Sequence, residues 1–341
     1  MTSDRLIARD SAIYQEVARL YRIAQSLRPT GIDRWNGDVL ATTADIWGAM
    51  HPKSGVLRLS EARVLAHLGG SSGSTSSQRA QALATILHEA THGGMLVDAP
   101  NRPNAVRTIH SAGLTEGIAE LRTFADFEFF AERASYGDLV LEKPQYPGVF
   151  VATESLIAHV TGPGFTRAAL IQEATRGPVV MHFDQFAEAA VANHLPGMVP
   201  NRVADQLAVR AALIRPMVHP HWQGFQSMPA GIGESLAREV RIRLDITLEE
   251  IRRHYRVRGG VPFAEGAGGR EVSREGSGGR KAGVDSLRFL GGQAPAAEAV
   301  VRRSELGGRG ARVRSVRGPG HGAGPPNRGG VIDRRVWGRE D

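Results

Sequence analysis

A mostly apolar segment that ends at His92 carries two histidines and a glutamate. The positions before them are apolar at helical spacing: Ala82, Leu83, Ile86 and Leu87. This pattern predicts a helix that lies in the interior of the fold. Burying an imidazole or a carboxylate without a partner is costly. The fold must therefore supply partners for His88, Glu89 and His92, and this requirement limits what can pack against the helix.

The spacing of the two histidines points to a metal ion. His88 and His92 are four residues apart, which places both imidazoles on one face of an α-helix, one turn apart. A catalytic zinc site has three protein ligands of N or O type and one open position. Gly93 and Gly94 end the helix directly after the second histidine, so the chain can turn and return with a third ligand. Glu116 is the expected third ligand.

Two further carboxylates complete the predicted site. Glu89, next to the first histidine, is the expected general base, which takes a proton from the zinc-activated water. Glu120 follows Glu116 by one helical turn, and metal-bound histidines usually donate their other ring N–H to such a group. We therefore predict one Zn²⁺ per chain, bound by His88, His92 and Glu116. Glu89 is the predicted catalytic residue, and Glu120 orients a ligand histidine.

The His88-Glu89-x-x-His92 and Glu116-x-x-x-Glu120 motifs together resemble the gluzincin group of zinc metallopeptidases, over roughly residues 55–130. In that group the third ligand is a Glu on a second helix, and the helix pair follows a sheet whose edge strand binds extended peptide. The resemblance implies a zincin-like fold, hydrolysis of peptide bonds and a peptide or protein substrate. It also implies that the alternating residues 55–59 form the edge strand.

The chain departs from the aminopeptidase branch of that group. This branch carries an upstream Gly-x-Met-Glu-Asn element that holds the amino terminus of the substrate. In this chain Gly48-Ala49-Met50 is followed by His51-Pro52 instead. The departure favours an endopeptidase over an exopeptidase.

Composition limits the metal donors and the partners. The chain has no cysteine, so His, Glu and Asp are its strong metal donors. Its net charge is +7, and residues 259–341 hold 15 Lys and Arg against 9 Asp and Glu, a surplus of 6. Residues 1–258 are therefore nearly neutral, which argues against a nucleic-acid surface there. Contact with nucleic acid is expected only through the basic tail.

Helical periodicity predicts most of the other elements. We expect a helix over residues 10–27 and a second site helix from Thr115 through Phe130. The second site helix should bury a stripe made of Ile118, Leu121, Ala125 and Phe129. Four more helices are expected over residues 165–176, 183–195, 202–215 and 233–256. In the last of them, Thr247-x-x-Glu250 is either a capping box or a local turn. The predicted class is α+β, predominantly helical, with a small mixed sheet before the zinc-binding helix.

The chain divides into three predicted segments. Residues 1–130 form the zincin-like part, with the edge strand and both site helices, and residues 131–258 form a helical part that closes the cleft. Residues 259–341 hold 21 of the 41 glycines and are predicted to be disordered. This tail is either a genuine flexible arm or the product of a shifted reading frame. We expect a cytoplasmic location and no membrane contact, because neither a signal peptide nor an apolar run of about 20 residues is present.

Several other side chains are weaker candidates for the site. Tyr136, Tyr146 and His159 are candidates by position for stabilising the oxyanion of a tetrahedral intermediate. A packed tyrosine or a histidine at the edge of the core is the preferred interpretation of each. His110, in the loop that enters the second site helix, and the pair His219 and His221 are candidate ligands. Isolated loop histidines are more often solvated or bonded to the backbone.

Two alternatives compete with the peptidase hypothesis. The first is a catalytically idle, zincin-like interaction module with a structural zinc, in which Glu89 has no chemical role. The second is a nucleic-acid-associated protein whose Arg/Gly tail binds the partner. This alternative predicts a strongly salt-dependent affinity that is lost when residues 259–341 are removed.

Overall fold

The computed structural model describes residues 3–69, 73–258 and 260–263. Within these ranges four short strands form one sheet: β1 at Asp4–Leu6, β2 at Val39–Thr42, β3 at Gly48–Met50 and β4 at Leu57–Ser60. The strand order is β1-β2-β4-β3. β2 and β4 are parallel, whereas the β1–β2 and β3–β4 pairs are antiparallel. The prediction of a small mixed sheet ahead of the helix that carries His88 and His92 is therefore confirmed.

The prediction that residues 55–59 form the edge strand is wrong. A strand is present there as β4, but Leu57 pairs with Val39 of β2 on one side and with Met50 of β3 on the other. Both leucines of β4, Leu57 and Leu59, are fully buried. β3 is the edge strand at this side of the sheet. Its residues, Gly, Ala and Met, have little preference for strands, so the sequence pattern does not reveal it.

Eight α-helices make up most of the described ranges. In chain order they are α1 at Ala12–Leu27, α2 at Ser76–Gly93, α3 at His110–Arg133, α4 at Pro147–Val160, α5 at Arg167–Ala174, α6 at His182–His194, α7 at Val203–Met217 and α8 at Ala230–Arg258. Short 3₁₀ turns lie at Leu65–His67, Val179–Met181 and Pro220–Ser227. The predicted helices are present with shifted ends, and the α+β class is confirmed. Among the described helices, none has the length and apolar character needed to cross a bilayer.

α4 is a helix that the sequence pattern does not predict. Its first half is rich in β-branched and aromatic residues, which have modest helix propensity: Val149, Phe150, Val151 and Thr153. The helix packs between α3 and α8, and this burial outweighs the local preference. Pro147 occupies the first helical turn, where a missing N–H has no cost.

Two details of the other helices also differ from prediction. The expected stripe on α3 holds at Ile118 and Leu121, but Ala125 is exposed and Phe129 is 64% exposed. The buried face includes Asp126 instead, which accepts hydrogen bonds from Arg28 at the end of α1. Thr247 lies inside α8 rather than at a cap, and its hydroxyl donates to the carbonyl one turn earlier.

α3 links two hydrophobic cores within the one compact unit that holds the described residues. Leu114 and Ile118 belong to a core formed mainly by α4 to α8. Phe127 and Phe130 belong to a core formed by the sheet, α1 and α2. The predicted boundary between residues 130 and 131 falls inside this shared helix. The predicted tail lies outside the described residues apart from residues 260–263.

Gly117 allows α3 and α4 to approach each other closely. A Cβ atom at this position would lie 2.0 Å from Thr153 Oγ1 and 2.9 Å from the Val149 carbonyl oxygen. Glu116, the expected third ligand, is the adjacent residue. The close approach therefore fixes the position of this part of α3 against α4.

We expect Gly117→Ala to destabilise the protein by about 1–3 kcal/mol, because the added methyl group overpacks the α3–α4 contact. Urea unfolding followed by circular dichroism measures the change. Gly231→Ala is the matched control, since nothing lies within 4 Å of a Cβ built at that position. Equal stabilities of the two variants would contradict the close approach.

Candidate metal centre

α2 holds the first part of the site. The helix begins at a capping box, in which the Thr75 hydroxyl accepts from the Gln78 N–H and the Gln78 side chain accepts from the Thr75 N–H. The helix is buried along most of its length, as its apolar pattern predicts. His88 is 1% exposed and Glu89 is 3% exposed. Gly93 is its last residue, directly after His92.

Three ligand atoms from α2 and α3 converge at one point. His88 Nε2 lies 3.1 Å from His92 Nε2 and 3.0 Å from Glu116 Oε2. His92 Nε2 lies 3.4 Å from the same Glu116 oxygen. Ligand atoms of a tetrahedral metal site with bonds of about 2.0–2.2 Å are about 3.3–3.6 Å apart. One ion can therefore lie about 2 Å from all three atoms. Among the described residues, these three form the group of His, Asp or Glu side chains whose ligand atoms lie close enough together to hold one ion.

Glu120 fixes the orientation of the first imidazole. His88 Nδ1 lies 3.0 Å from Glu120 Oε2, and the other Glu120 oxygen accepts the Gln145 backbone N–H. With the proton on Nδ1, the lone pair of His88 Nε2 points toward His92 and Glu116. This is the tautomer that binds a metal ion. The structure therefore puts Glu120 where the sequence analysis expects it.

Mutual proximity controls the charges of the buried ligands. Burial lowers the pKa of His88, but its hydrogen bonds to Glu116 and Glu120 outweigh burial and raise the pKa well above its usual value. Burial raises the pKa of Glu116, whereas His92 and His88 outweigh burial and lower it well below the usual range. An ion that binds here displaces the Nε2 proton of His88. Two imidazole nitrogens and an ionised carboxylate then form a donor set that several divalent transition ions accept.

Glu89 lies beside the ligand group without being part of it. Its Oε2 atom is buried and has no hydrogen-bond partner within the described ranges. Burial raises the pKa of Glu89, while His92, His88 and the Met50 backbone oppose the increase. The carboxylate packs against the β3 edge, where a Cβ at Gly48 would lie 2.8 Å from Glu89 Oε1. A buried carboxylate of raised pKa is suited to accept a proton.

Tyr146 joins the site, although the sequence analysis favours a packing role for it. Its ring centroid lies 5.7 Å from that of His88. Burial raises the pKa of the phenol, and the charges of Glu116, Glu89 and Glu120 raise it further. The hydroxyl therefore stays protonated and is available as a donor. In the sequence, Pro147 is the feature that could have indicated this position, because proline is common in the first turn of a helix and α4 begins there.

The other candidates have partners elsewhere. The Tyr136 hydroxyl donates to Glu16 at 2.9 Å. His159 pairs with Asp245 at 3.1 Å, and His219 pairs with Glu239 at 3.2 Å. His110 is the first residue of α3 rather than a loop residue, and its ring contacts Thr108 and Gln223. Neither these residues nor His221 belong to the ligand group.

The chain matches no family model, no curated protein and no solved structure. The resemblance to the gluzincins therefore rests on the two motifs. Inferences about function rest on the chemistry and geometry of the site.

We expect the full chain, loaded with Zn²⁺ and freed of excess metal, to hold about one ion per molecule by elemental analysis. A His88→Ala, His92→Ala variant should hold little, because it lacks two of the three ligands. Its circular dichroism spectrum checks that the fold is retained. His110→Ala is the matched control and should bind like the parent. Equal contents in the parent and the double variant would exclude the site.

Proposed function

We propose that this protein is a zinc-dependent endopeptidase with a zincin-like fold. The observation that carries the proposal is the convergence of three ligand atoms next to a buried Glu89 oxygen without a partner. The order of elements adds support, because a mixed sheet precedes the helix with two ligands and a second helix follows with the third. The gluzincin resemblance implies the same roles for the same residues.

The number of ligands favours a catalytic metal over a structural one. Structural zinc sites have four protein ligands, whereas catalytic sites have three and keep one position open. The group found in the described ranges has three members, two histidines and a glutamate. This observation argues against the idle interaction module. Zinc in such a site supplies Lewis-acid activation of water and of the substrate carbonyl at neutral pH.

The proposed roles of the surrounding side chains follow from their positions. Glu89 accepts a proton from the attacking water and later passes it to the leaving amine. Tyr146 donates a hydrogen bond to the oxyanion of the tetrahedral intermediate. Glu120 holds His88 with Nε2 turned toward His92 and Glu116.

β3 provides an edge on which an extended peptide can lie. On its β4 side, His51 N–H donates to the Val56 carbonyl and the Trp47 carbonyl accepts from Ser60 N–H. Backbone groups alternate along an antiparallel strand, so those of Gly48 and Met50 face away from β4. The Met50 N–H is directed at Glu89, so a peptide can pair with the backbone groups of Gly48 and with the Met50 carbonyl. Peptides commonly bind by adding a strand to such an edge. Because Gly48 contacts Glu89, a peptide paired there lies next to the general base.

Replacing Glu89 separates catalysis from metal binding. We expect Glu89→Gln to keep about one zinc per chain and to lose about 10²–10⁴-fold in hydrolysis rate, because it cannot accept a proton. Mass spectrometry of a peptide library incubated with each protein measures the rate of cleavage, and elemental analysis measures the zinc content. Glu132→Gln, an exposed glutamate on α3, is the matched control. If the zinc-loaded parent cleaves nothing, the interaction-module alternative is favoured.

The role of Tyr146 has its own test. We expect Tyr146→Phe to lower kcat by about 10²–10³-fold with unchanged zinc content, because the oxyanion loses a donor. Tyr136→Phe removes a hydroxyl that pairs with Glu16 instead, and it should keep the parental kcat. Steady-state kinetics on one cleaved peptide compares the two variants. Similar kcat values for both would rule out the oxyanion role.

A further inference from the structure

A cleft of about 580 Å³ lies along the first half of α2, beside the metal centre. Its walls come from four segments of the chain and include Trp47, Arg63, His67, Gln81, Lys143 and Gln145. Gln145 and Pro147 both line the cleft, and Tyr146 lies between them in the chain. Gln145 also donates to Glu120. The cleft and the metal centre therefore share one wall.

The charged groups of the cleft are cationic. Arg63 and Lys143 line it, and none of the residues that line it is acidic. The Arg63 guanidinium lies 5.4 Å from the centre of the Trp47 ring, which supports it. Arg63 also pairs with the exposed Asp45, and exposed ion pairs of this type contribute little to stability. In the described ranges Lys143 has no ion-pair partner.

A buried amide in the same wall also lacks a partner. Gln81 is 8% exposed, and its Nε2 donates to the Lys143 carbonyl oxygen at 3.0 Å. Its Oε1 is buried without a hydrogen-bond partner in the described ranges. Buried acceptors are rarely left unpaired in folded proteins. A ligand that donates an N–H to Gln81 while placing an anion near Arg63 and Lys143 satisfies all three side chains.

The spacing of residues along α2 gives the distance between the cleft and the metal centre. Gln81 and His88 are seven residues apart on α2, which is about 10 Å along the helix axis. An extended peptide advances about 3.3 Å per residue. A group bound beside Gln81 therefore belongs to a residue within about three positions of the scissile bond.

We propose that this cleft is a substrate subsite for a carboxylate, and that the preferred substrates are peptides with an acidic group close to the cleaved bond. The inference rests on the proposed peptidase function. The carboxylate pairs with Arg63 and Lys143, and a neighbouring peptide N–H donates to Gln81. The acidic group comes either from an Asp or Glu side chain or from the carboxyl terminus of a short peptide.

The test compares three peptides with the zinc-loaded full chain. The first carries Glu at a position near the cleaved bond and an amidated end, the second carries Gln at that position, and the third has the Gln sequence with a free carboxyl terminus. We expect one carboxylate peptide to exceed the Gln amide by about tenfold or more in kcat/KM. The peptide that does so identifies the source of the carboxylate. No preference over the amide would overturn the subsite.

Substitutions in the cleft check that its cations cause the preference. In an Arg63→Gln, Lys143→Gln variant, the kcat/KM of the preferred carboxylate peptide should fall to near that of the Gln amide. An Arg63→Glu, Lys143→Glu variant should instead favour a peptide with Lys in place of the acidic group. Arg133→Gln, Arg253→Gln makes the same change of charge on exposed positions of α3 and α8 and should keep the preference. A preference that persists in both cleft variants would show that other residues select the carboxylate.

A binding measurement keeps the two proposals distinguishable. If the parent cleaves no peptide, the peptidase function fails, and fluorescence anisotropy of the labelled peptides on zinc-loaded Glu89→Gln then tests the subsite alone. Tighter binding of a carboxylate peptide than of the Gln amide, lost in the Arg63→Gln, Lys143→Gln background, supports the subsite. Equal binding of all three peptides overturns it.

Discussion

The pairing of His88 with two glutamates of α3 is the constraint on which the packing of the protein depends. His88 is buried, and both of its ring nitrogens face α3 carboxylates, Glu120 at Nδ1 and Glu116 at Nε2. A buried polar group without a partner is expensive, so α2 and α3 can pack only in the register that satisfies this ring. Because α3 joins both hydrophobic cores, the contacts that form the site also set how the two halves of the fold meet.

Local patterns were sufficient to predict most helices and the histidine pair, because helical spacing and end signals act over a few residues. Glu116 and Glu120 follow from the need of a catalytic zinc for a third ligand and from their four-residue spacing, and the family resemblance implies the same two residues. The prediction missed α4, because a helix buried on several sides lacks the polar face that marks an amphipathic one. The sequence names Tyr146 only as a candidate by position, since its place beside His88 depends on where α4 begins.

Non-local geometry accounts for the other errors. The neighbours of a strand are set by the topology of the sheet rather than by its own residues, so β4 looked like an edge strand from its sequence. The cleft was equally invisible, because Arg63 and Lys143 belong to segments far apart in the chain. The site and the cleft carry charges of opposite sign. Three carboxylates surround the candidate metal centre, whereas cations line the adjoining cleft. In the proposed peptidase this asymmetry would orient a charged peptide.

The contact at Gly117 makes the site dependent on one position without a side chain. The neighbour of Glu116 touches Thr153 of α4, and α4 begins directly after Tyr146, so one helix contact positions both the candidate ligand and the phenol. A larger residue at 117 would meet the Val149 backbone oxygen as well as the Thr153 side chain, and a smaller side chain at 153 cannot remove the first of these contacts. In the descent of this protein position 117 is therefore expected to stay glycine for as long as the site is kept.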